Sequence, residues 1–385
     1  MKTRPGNPLT PINGYYTVDN RVYNNKFEAL LASTKNGCQV FWHWHPEYDQ
    51  VNWQEDTALS VKEVYRLRAQ QLRDKYNYLV LSFSGGADSW QVLHTFISNN
   101  IKLDEVFVRW PISATEKLYQ ANATDNRPSN ILSEWDYAVK PVLEMLQTHY
   151  PDIRITVKDI SNDILDTEYN DNLITQSHEI VGAGWWAKFG SMPDQERKII
   201  DNNGSVGFIC GIDKPQIRVK DNQVYCYFLD TLVNSTIPPY ADGRCVELFY
   251  WTRDMPEVTY VQARAIYNRM KMSPEIGKLL QFGGNFNSAK KYQWDLFVKS
   301  IIYSDYRSDV FQAMKTPNVV YNPVDAWLLK VIDSQSLQAW ESMVENIRLS
   351  LDQRYIKYDE NNTMSGVASY ISREYYLGDL PAVTL

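Results

Sequence analysis

The chain has 385 residues, of which 44% are hydrophobic and 22% charged, enough to bury a sizeable core and too apolar for wholesale disorder. Acidic residues outnumber basic ones 46 to 39, a formal net charge of -7, which argues against a surface that coats nucleic acid. Four dispersed cysteines (Cys38, Cys210, Cys226, Cys245) form no C-x-x-C pair, and no apolar run or leader is long enough for a bilayer span or signal peptide. A reduced, cytoplasmic protein with no membrane partner is expected.

Residues 1–56 read as short strands and turns, with a polar turn at Asp19-Asn20 and an alternating stretch from Cys38 to Trp44. His43-Trp44-His45, with Glu47 nearby, has too few partners for a metal site and reads as structural. Ser60-x-x-Glu63 has capping-box spacing and opens a helix whose apolar face carries Val61, Val64, Leu67 and Leu72. Its other face carries Arg66, Arg68, Arg73 and Lys75, expected as a solvated surface, with contact to RNA or a phosphate-bearing partner as the alternative.

Tyr78 to Phe83 reads as an apolar strand, Ser84 to Ser89 as a glycine turn, and Trp90 to Ser98 as a helix. Strands at Leu103 to Trp110 and Ile153 to Ile160 follow, separated by a helix capped at Ser129 or Asn130 and running to His149. This alternation is that of a parallel sheet with crossover helices. A fourth strand spans Val206 to Gly211, and a hairpin turns at Asp221-Asn222. Beyond residue 255 helices predominate, at Glu257–Met272, Trp294–Tyr303 and Ser336–Ile356 among others. The expected architecture is α/β, an open parallel sheet plus a mostly helical C-terminal region. Its parts are a β-rich extension (1–56), an α/β domain (57–254) and the helical region (255–385).

The loop Ser84-Gly85-Gly86-Ala87-Asp88-Ser89 carries the chemistry. Adjacent glycines permit a tight turn with bare N–H groups, and the following helix start adds unpaired donors and a positive dipole end. Ser84 and Ser89 add hydroxyls for phosphate oxygens. Asp88 would repel a bare phosphate, so its presence points to a bridging Mg²⁺. A simple turn in which Asp88 and Ser89 cap the helix is the plainer reading. Four specified residue types between a strand and a helix favour phosphate binding over it.

At these residues the sequence resembles the PP-loop ATP pyrophosphatase superfamily, with its S-G-G-x-D-S signature and an adenine nucleotide alpha-hydrolase-like fold. Phe83 to Ser89 with Val92-Leu93-His94 most resembles the sulfonucleotide reductase branch; the remaining chain looks more like PP-loop proteins of large bacteriophages. The resemblance implies that the loop holds the pyrophosphate of ATP, that Asp88 binds Mg²⁺, and that ATP is split between its α and β phosphates. It places adenine against Val108, Arg109 and Trp110, at the carboxyl end of the second strand. After the fourth strand, Gly211 would let backbone approach the α-phosphate or ribose, Lys214 would neutralise the leaving pyrophosphate, and Asp213 would be a second metal ligand. Arg218 is a weaker cationic candidate; Gly182 to Gly190, with Trp185-Trp186, reads as a tightly turned lid that covers substrate or, as is common for adjacent tryptophans, as one core and one surface residue.

The expected function is an ATP-dependent adenylating enzyme, ligase- or amidotransferase-like or sulfurtransferase-like. A small-molecule or nucleotide-base acceptor would be activated for attack by an amine, ammonia or a sulfur nucleophile. The alternative is a non-catalytic protein that senses or sequesters adenine nucleotides. A sulfonucleotide reductase is disfavoured, because no cysteine follows Cys245 and Arg109-Trp110-Pro111 replaces that branch's second-strand element. The C-terminal hundred residues are expected to be silent on chemistry, and the 13% aromatic content to serve mainly packing.

Overall fold

In the computed structural model the described residues are 14–110, 112, 113, 134–159, 194–212, 214–230, 244–273, 288–304, 306, 334–358, 362 and 364–381. Strands β1 (Tyr15–Val18), β2 (Arg21–Tyr23) and β3 (Val40–His43) form an antiparallel sheet in the order β2-β1-β3. Asp19 and Asn20 have φ of 48° and 60°, the left-handed pair that a two-residue hairpin needs and that Asp and Asn tolerate. Helix α1 (Lys26–Asn36) starts at Asn25, whose side chain accepts from the N–H of Phe27 and Glu28, and stops at Gly37 in the left-handed region.

Helix α2 (Val61–Lys75) begins where the sequence signals it, with the Ser60 hydroxyl accepting from Glu63 N at 3.2 Å. Then come β4 (Tyr78–Ser82), α3 (Ala87–Ser98) and β5 (Glu105–Trp110). A π-helical turn over Glu134–Val139 leads into α4 (Lys140–His149), followed by β6 (Arg154–Asp159), α5 (Asp194–Asp201) and β7 (Val206–Cys210). The predicted cap of α4 at Ser129 or Asn130 lies outside the described residues. The hairpin β8 (Gln216–Lys220) and β9 (Gln223–Tyr227) precedes β10 (Arg244–Leu248).

The five-stranded sheet is all parallel, in the order β10-β7-β4-β5-β6. Counted along the chain that is 3-2-1-4-5, so the winding direction reverses between β4 and β7. Its central strands are apolar because helices cover both faces: Leu79, Val80 and Leu81 are buried, as is every residue of β7.

Helices α6 (Glu257–Met272), α7 (Ser288–Ile302) and α8 (Ser334–Ser350) follow, then strands β11 (Ile356–Tyr358), β12 (Met364–Val367) and β13 (Tyr375–Asp379). The last of these pairs antiparallel with β9, so the chain's end joins the hairpin beside the main sheet. The N-terminal segment is tied to the same region. Lys26 Nζ lies 2.9 Å from Asp230 Oδ2, both side chains fully buried, while Tyr16 OH and Tyr370 N donate to the same carboxylate. Most of the described aromatic side chains are packing. Phe228 lies 5.1 Å from Trp44, 4.7 Å from Tyr48 and 5.0 Å from Trp251, and Trp53 stacks on Tyr375 at 4.7 Å.

The basic stripe on α2 is only in part the solvated face expected from the sequence: Arg66 is exposed, whereas the stripe turns inward at Arg68. Arg68 is fully buried, its Nη2 2.8 Å from Glu247 Oε2 and bonded to Leu248 O. Lys75 lies 2.7 Å from Glu247 and 2.6 Å from Asp254, Arg73 pairs with Asp104 at 2.6 Å, and Arg66 with Glu63 at 3.2 Å. Each cation has a carboxylate partner: β10 brings Glu247 against Arg68 and Lys75, Asp104 meets Arg73, and Arg66 pairs within the helix.

Candidate functional site

The reversal in the sheet puts the carboxyl ends of β4 and β7 side by side, with β10 beyond β7. In doubly wound sheets this is where a ligand crevice opens. Three segments meet there: the Ser84–Ser89 loop, the stretch after β7, and the stretch after β10.

Phe83 extends the ladder, donating to Phe107 O at 2.9 Å, before the chain turns. Gly85 has φ of 73°, and a Cβ on it would meet Val139 Cγ2 at 2.8 Å and Ala138 Cβ at 3.1 Å. The glycine is therefore required both by backbone conformation and by the π-helical turn packed on it. Gly86 is the N-cap of α3, and no side chain caps that end, so the first-turn N–H donors are not consumed by a cap. The serines knit the loop: Ser89 Oγ donates to Gly86 O at 3.1 Å and accepts from Ser84 N at 3.3 Å. Ser84 is exposed and Ser89 buried; Gly85, Gly86 and Ala87 are buried as well.

Gly211 closes the gap from the other side. A Cβ there would lie 3.1 Å from the carbonyl of Asp88 and 3.2 Å from Ser89 Cα. The space a side chain would take there is filled by the loop's own backbone. Lys214 then reaches Asp88, with Nζ 3.2 Å from Oδ1. After β10, Tyr250 OH donates to Asp88 O at 2.9 Å. Three strand ends thus converge on one aspartate.

A fourth contact comes from the C-terminal region, whose sequence by itself carries no signal of chemistry. Tyr303 OH donates to Asp88 Oδ1. Asp295 and Lys299 on α7 extend the network: Lys214 Nζ is 3.6 Å from Asp295 Oδ1, and Lys299 Nζ is 2.5 Å from Asp295 Oδ2. The only signal in the sequence is the spacing of four between Asp295, Lys299 and Tyr303, which aligns them along one helix face. That spacing is equally common in surface ion pairs.

The carboxylates and lysines alternate, two of each, with 14% to 32% of each side chain exposed. Burial pushes the Asp88 carboxyl up, but Lys214, Lys299 and the Tyr303 hydroxyl together outweigh it and hold it below the usual carboxylate range. Asp88 is an anion at neutral pH. Burial, and then the charge of Asp88, pushes the Tyr303 phenol well above its ordinary value, so it stays a donor.

The residues expected around adenine separate by strand alternation. Val108 is buried in the core, and Trp110 is 8% exposed and stacked on Trp135 at 5.7 Å. Arg109 points the other way, partly exposed, with its guanidinium 5.8 Å from the Phe107 and Phe208 rings and bonded to Ser82 Oγ. Arg218 pairs with Glu374 at 2.8 Å and lies over the Tyr227 ring. His43 Nε2 lies 2.9 Å from Thr17 Oγ1 and its ring stacks on Tyr15. Asp213 and residues 182–190 lie outside the described residues.

Among the described residues, no three His, Cys, Asp or Glu side chains cluster as a metal site. A cavity of about 550 Å³ is lined by Ser60, Tyr65, Arg264, Tyr303, Ser304 and neighbours. It shares Tyr303 with the network, but no residue of the Ser84–Ser89 loop lines it. Among the described residues, no helix is long and apolar enough to cross a membrane. No protein-family model matches the chain, and no curated protein matches its sequence.

Proposed function

We propose that the chain is an ATP pyrophosphatase of the PP-loop kind, an adenylating enzyme working in the cytoplasm. The observation that carries this reading is the convergence of Asp88 and Lys214 at the uncapped start of α3, at the switch point of the parallel sheet. A glycine turn that merely capped a helix would not need a lysine from another strand end.

In this reading the polyphosphate rests against the first-turn N–H groups of α3 and the hydroxyls of Ser84 and Ser89. Lys214 exchanges Asp88 for the phosphate oxygens and offsets charge as pyrophosphate leaves. Mg²⁺, when bound, would be held through Asp88 and would supply further neutralisation of the polyphosphate charge. The donors suit it: Asp88 is ionised and a third exposed, and Asp295 stands across Lys214. A cation held largely by phosphate oxygens and water needs only one or two such carboxylates.

An acceptor oxygen then attacks the α-phosphorus, and the bond from that phosphorus to the α–β bridging oxygen breaks. The products are an adenylylated acceptor and pyrophosphate. An amine or ammonia displaces AMP in a second step. A sulfur donor is less well supported. Cys210 and Cys226 are buried, and burial pushes the Cys226 thiol up, away from the thiolate that sulfur transfer needs. The acceptor is a small molecule or nucleotide base. RNA is less favoured as a partner, because the α2 cations already have carboxylate partners.

Incubation of the purified chain with α-labelled ATP, Mg²⁺ and a small-molecule extract tests this reading: labelled AMP and free pyrophosphate are expected. Tight ATP retention without either product would instead favour a nucleotide-sensing protein.

A further inference from the structure

Asp88 and Tyr303 are 215 positions apart in sequence, and the hydrogen bond between them decides which carboxylate oxygen is left open. Tyr303 OH and Lys214 Nζ both donate to Oδ1; among the described residues no donor reaches Oδ2. The two donors differ in stiffness. Lys214 is a flexible stem that also leans on Asp295. Tyr303 is more firmly held, although it borders the cavity: it is 4% exposed, its N–H donates to Lys299 O at 3.0 Å, and its ring lies 6.0 Å from that of Tyr250. The residues flanking it are also fixed, Ile302 O by Tyr65 OH at 2.9 Å and Ser304 Oγ by Gln91 Oε1 at 3.2 Å.

The geometry points to Tyr303 as the positioning residue of the site, pinning Oδ1 of Asp88 so that Oδ2 is presented to a divalent cation carried by a nucleoside triphosphate. This rests on the metal–nucleotide reading of the loop. Tyr303 makes no contact with the cation and acts only through Asp88. Its role makes the residue just past α7 part of a site whose other elements come from the parallel sheet. Losing the hydroxyl leaves Lys214 as the one described donor on Oδ1, and the carboxylate regains rotational freedom. Cation affinity should fall about tenfold, the lower end of what a hydrogen bond to a charged group contributes.

The test is Mn²⁺ binding to the full chain, read by electron paramagnetic resonance, in the presence of the α,β-methylene analogue of ATP. Wild type, Tyr303→Phe, Asp88→Asn and the double variant are compared. Wild type should bind Mn²⁺ more tightly than the free analogue does. Tyr303→Phe should weaken that binding about tenfold while melting within a few degrees of wild type, and the double variant should match Asp88→Asn. Equal affinities in wild type and Tyr303→Phe would overturn the proposal. So would additive losses in the double variant, or a wild-type affinity no higher than that of the free analogue. A turnover assay on the same samples separates the two claims: intact Mn²⁺ binding without AMP or pyrophosphate would overturn the reaction and leave the positioning role standing.

Discussion

Lys214 Nζ stands 3.2 Å from Asp88 Oδ1, and the two residues, 126 positions apart, follow neighbouring parallel strands, Asp88 in the first turn of α3 and Lys214 beyond β7. This pair joins the turn after β4 to the segment after β7. Replacing Lys214 by Met removes one cation holding Asp88 ionised and the one proposed to face the leaving group. A loss of about 100-fold or more in AMP release is expected, the scale of one electrostatic contact to developing charge. Steady-state kinetics at saturating Mg²⁺ checks it, and a rate within threefold of wild type, roughly 0.7 kcal/mol, would deny Lys214 the role.

Gly85 is constrained twice, by φ of 73° and by Val139 Cγ2 at 2.8 Å from a Cβ position. Gly85→Ala should cost about 1–2 kcal/mol from backbone conformation alone, with the steric clash adding to it. Urea denaturation measures this. An unchanged midpoint would mean that the loop adopts another conformation.

The buried cluster of Arg68, Glu247 and Lys75 predicts a pH profile. Burial pushes Glu247 up, but Arg68 and Lys75 outweigh it and hold its carboxyl below the usual range. Its stabilising contribution is complete above the ordinary glutamate value of about 4.3 and is lost as pH falls toward the lower folded value. Lys75 shows the opposite sign. Burial opposes its charge, yet Glu247 and Asp254 raise it, so its contribution is complete below about 10.4 and is lost as pH rises beyond. Denaturant midpoints between pH 3 and 7 should fall on the acid side, and Glu247→Gln should flatten that limb. At neutral pH the same variant leaves Arg68 without its buried carboxylate and should cost about 3 kcal/mol. A neutral-pH midpoint like wild type would contradict the ion-pair account.

The buried pair Lys26 and Asp230 predicts that the N-terminal segment and the end of β9 unfold together. Asp230→Leu strands the Lys26 charge, whereas the double change of Lys26→Met with Asp230→Leu should recover much of the loss. A double-mutant cycle in urea reads the coupling, expected at about 1–3 kcal/mol. Strict additivity would show that the pair is not coupled.

What was legible in the sequence is what local chemistry encodes. Asp19-Asn20 and Asp221-Asn222 announced their hairpins, because few residues accept positive φ at two consecutive positions. Ser60 announced α2, and the apolar runs at β4 and β7 announced strands buried on both faces. The Ser84–Ser89 loop was readable because its glycines and hydroxyls are contiguous. Arg68 was misread because a basic residue on a helix looks solvated until a partner 179 positions away buries it. Asp295, Lys299 and Tyr303 were missed for the same reason: their regular spacing fits any exposed helix, and only the fold brings them to Asp88. The return of β13 to β9 was equally invisible, since antiparallel pairing across 149 or more positions leaves no local mark.

The central claim, cleavage of ATP between its α and β phosphates at Asp88, is tested most directly by product analysis of wild type and Asp88→Asn side by side. With α-labelled ATP, Mg²⁺ and the acceptor pool, wild type should release labelled AMP and an equal amount of pyrophosphate. Asp88→Asn should release neither while melting within a few degrees of wild type. ADP and phosphate as the products, or equal AMP release from Asp88→Asn, would contradict the account.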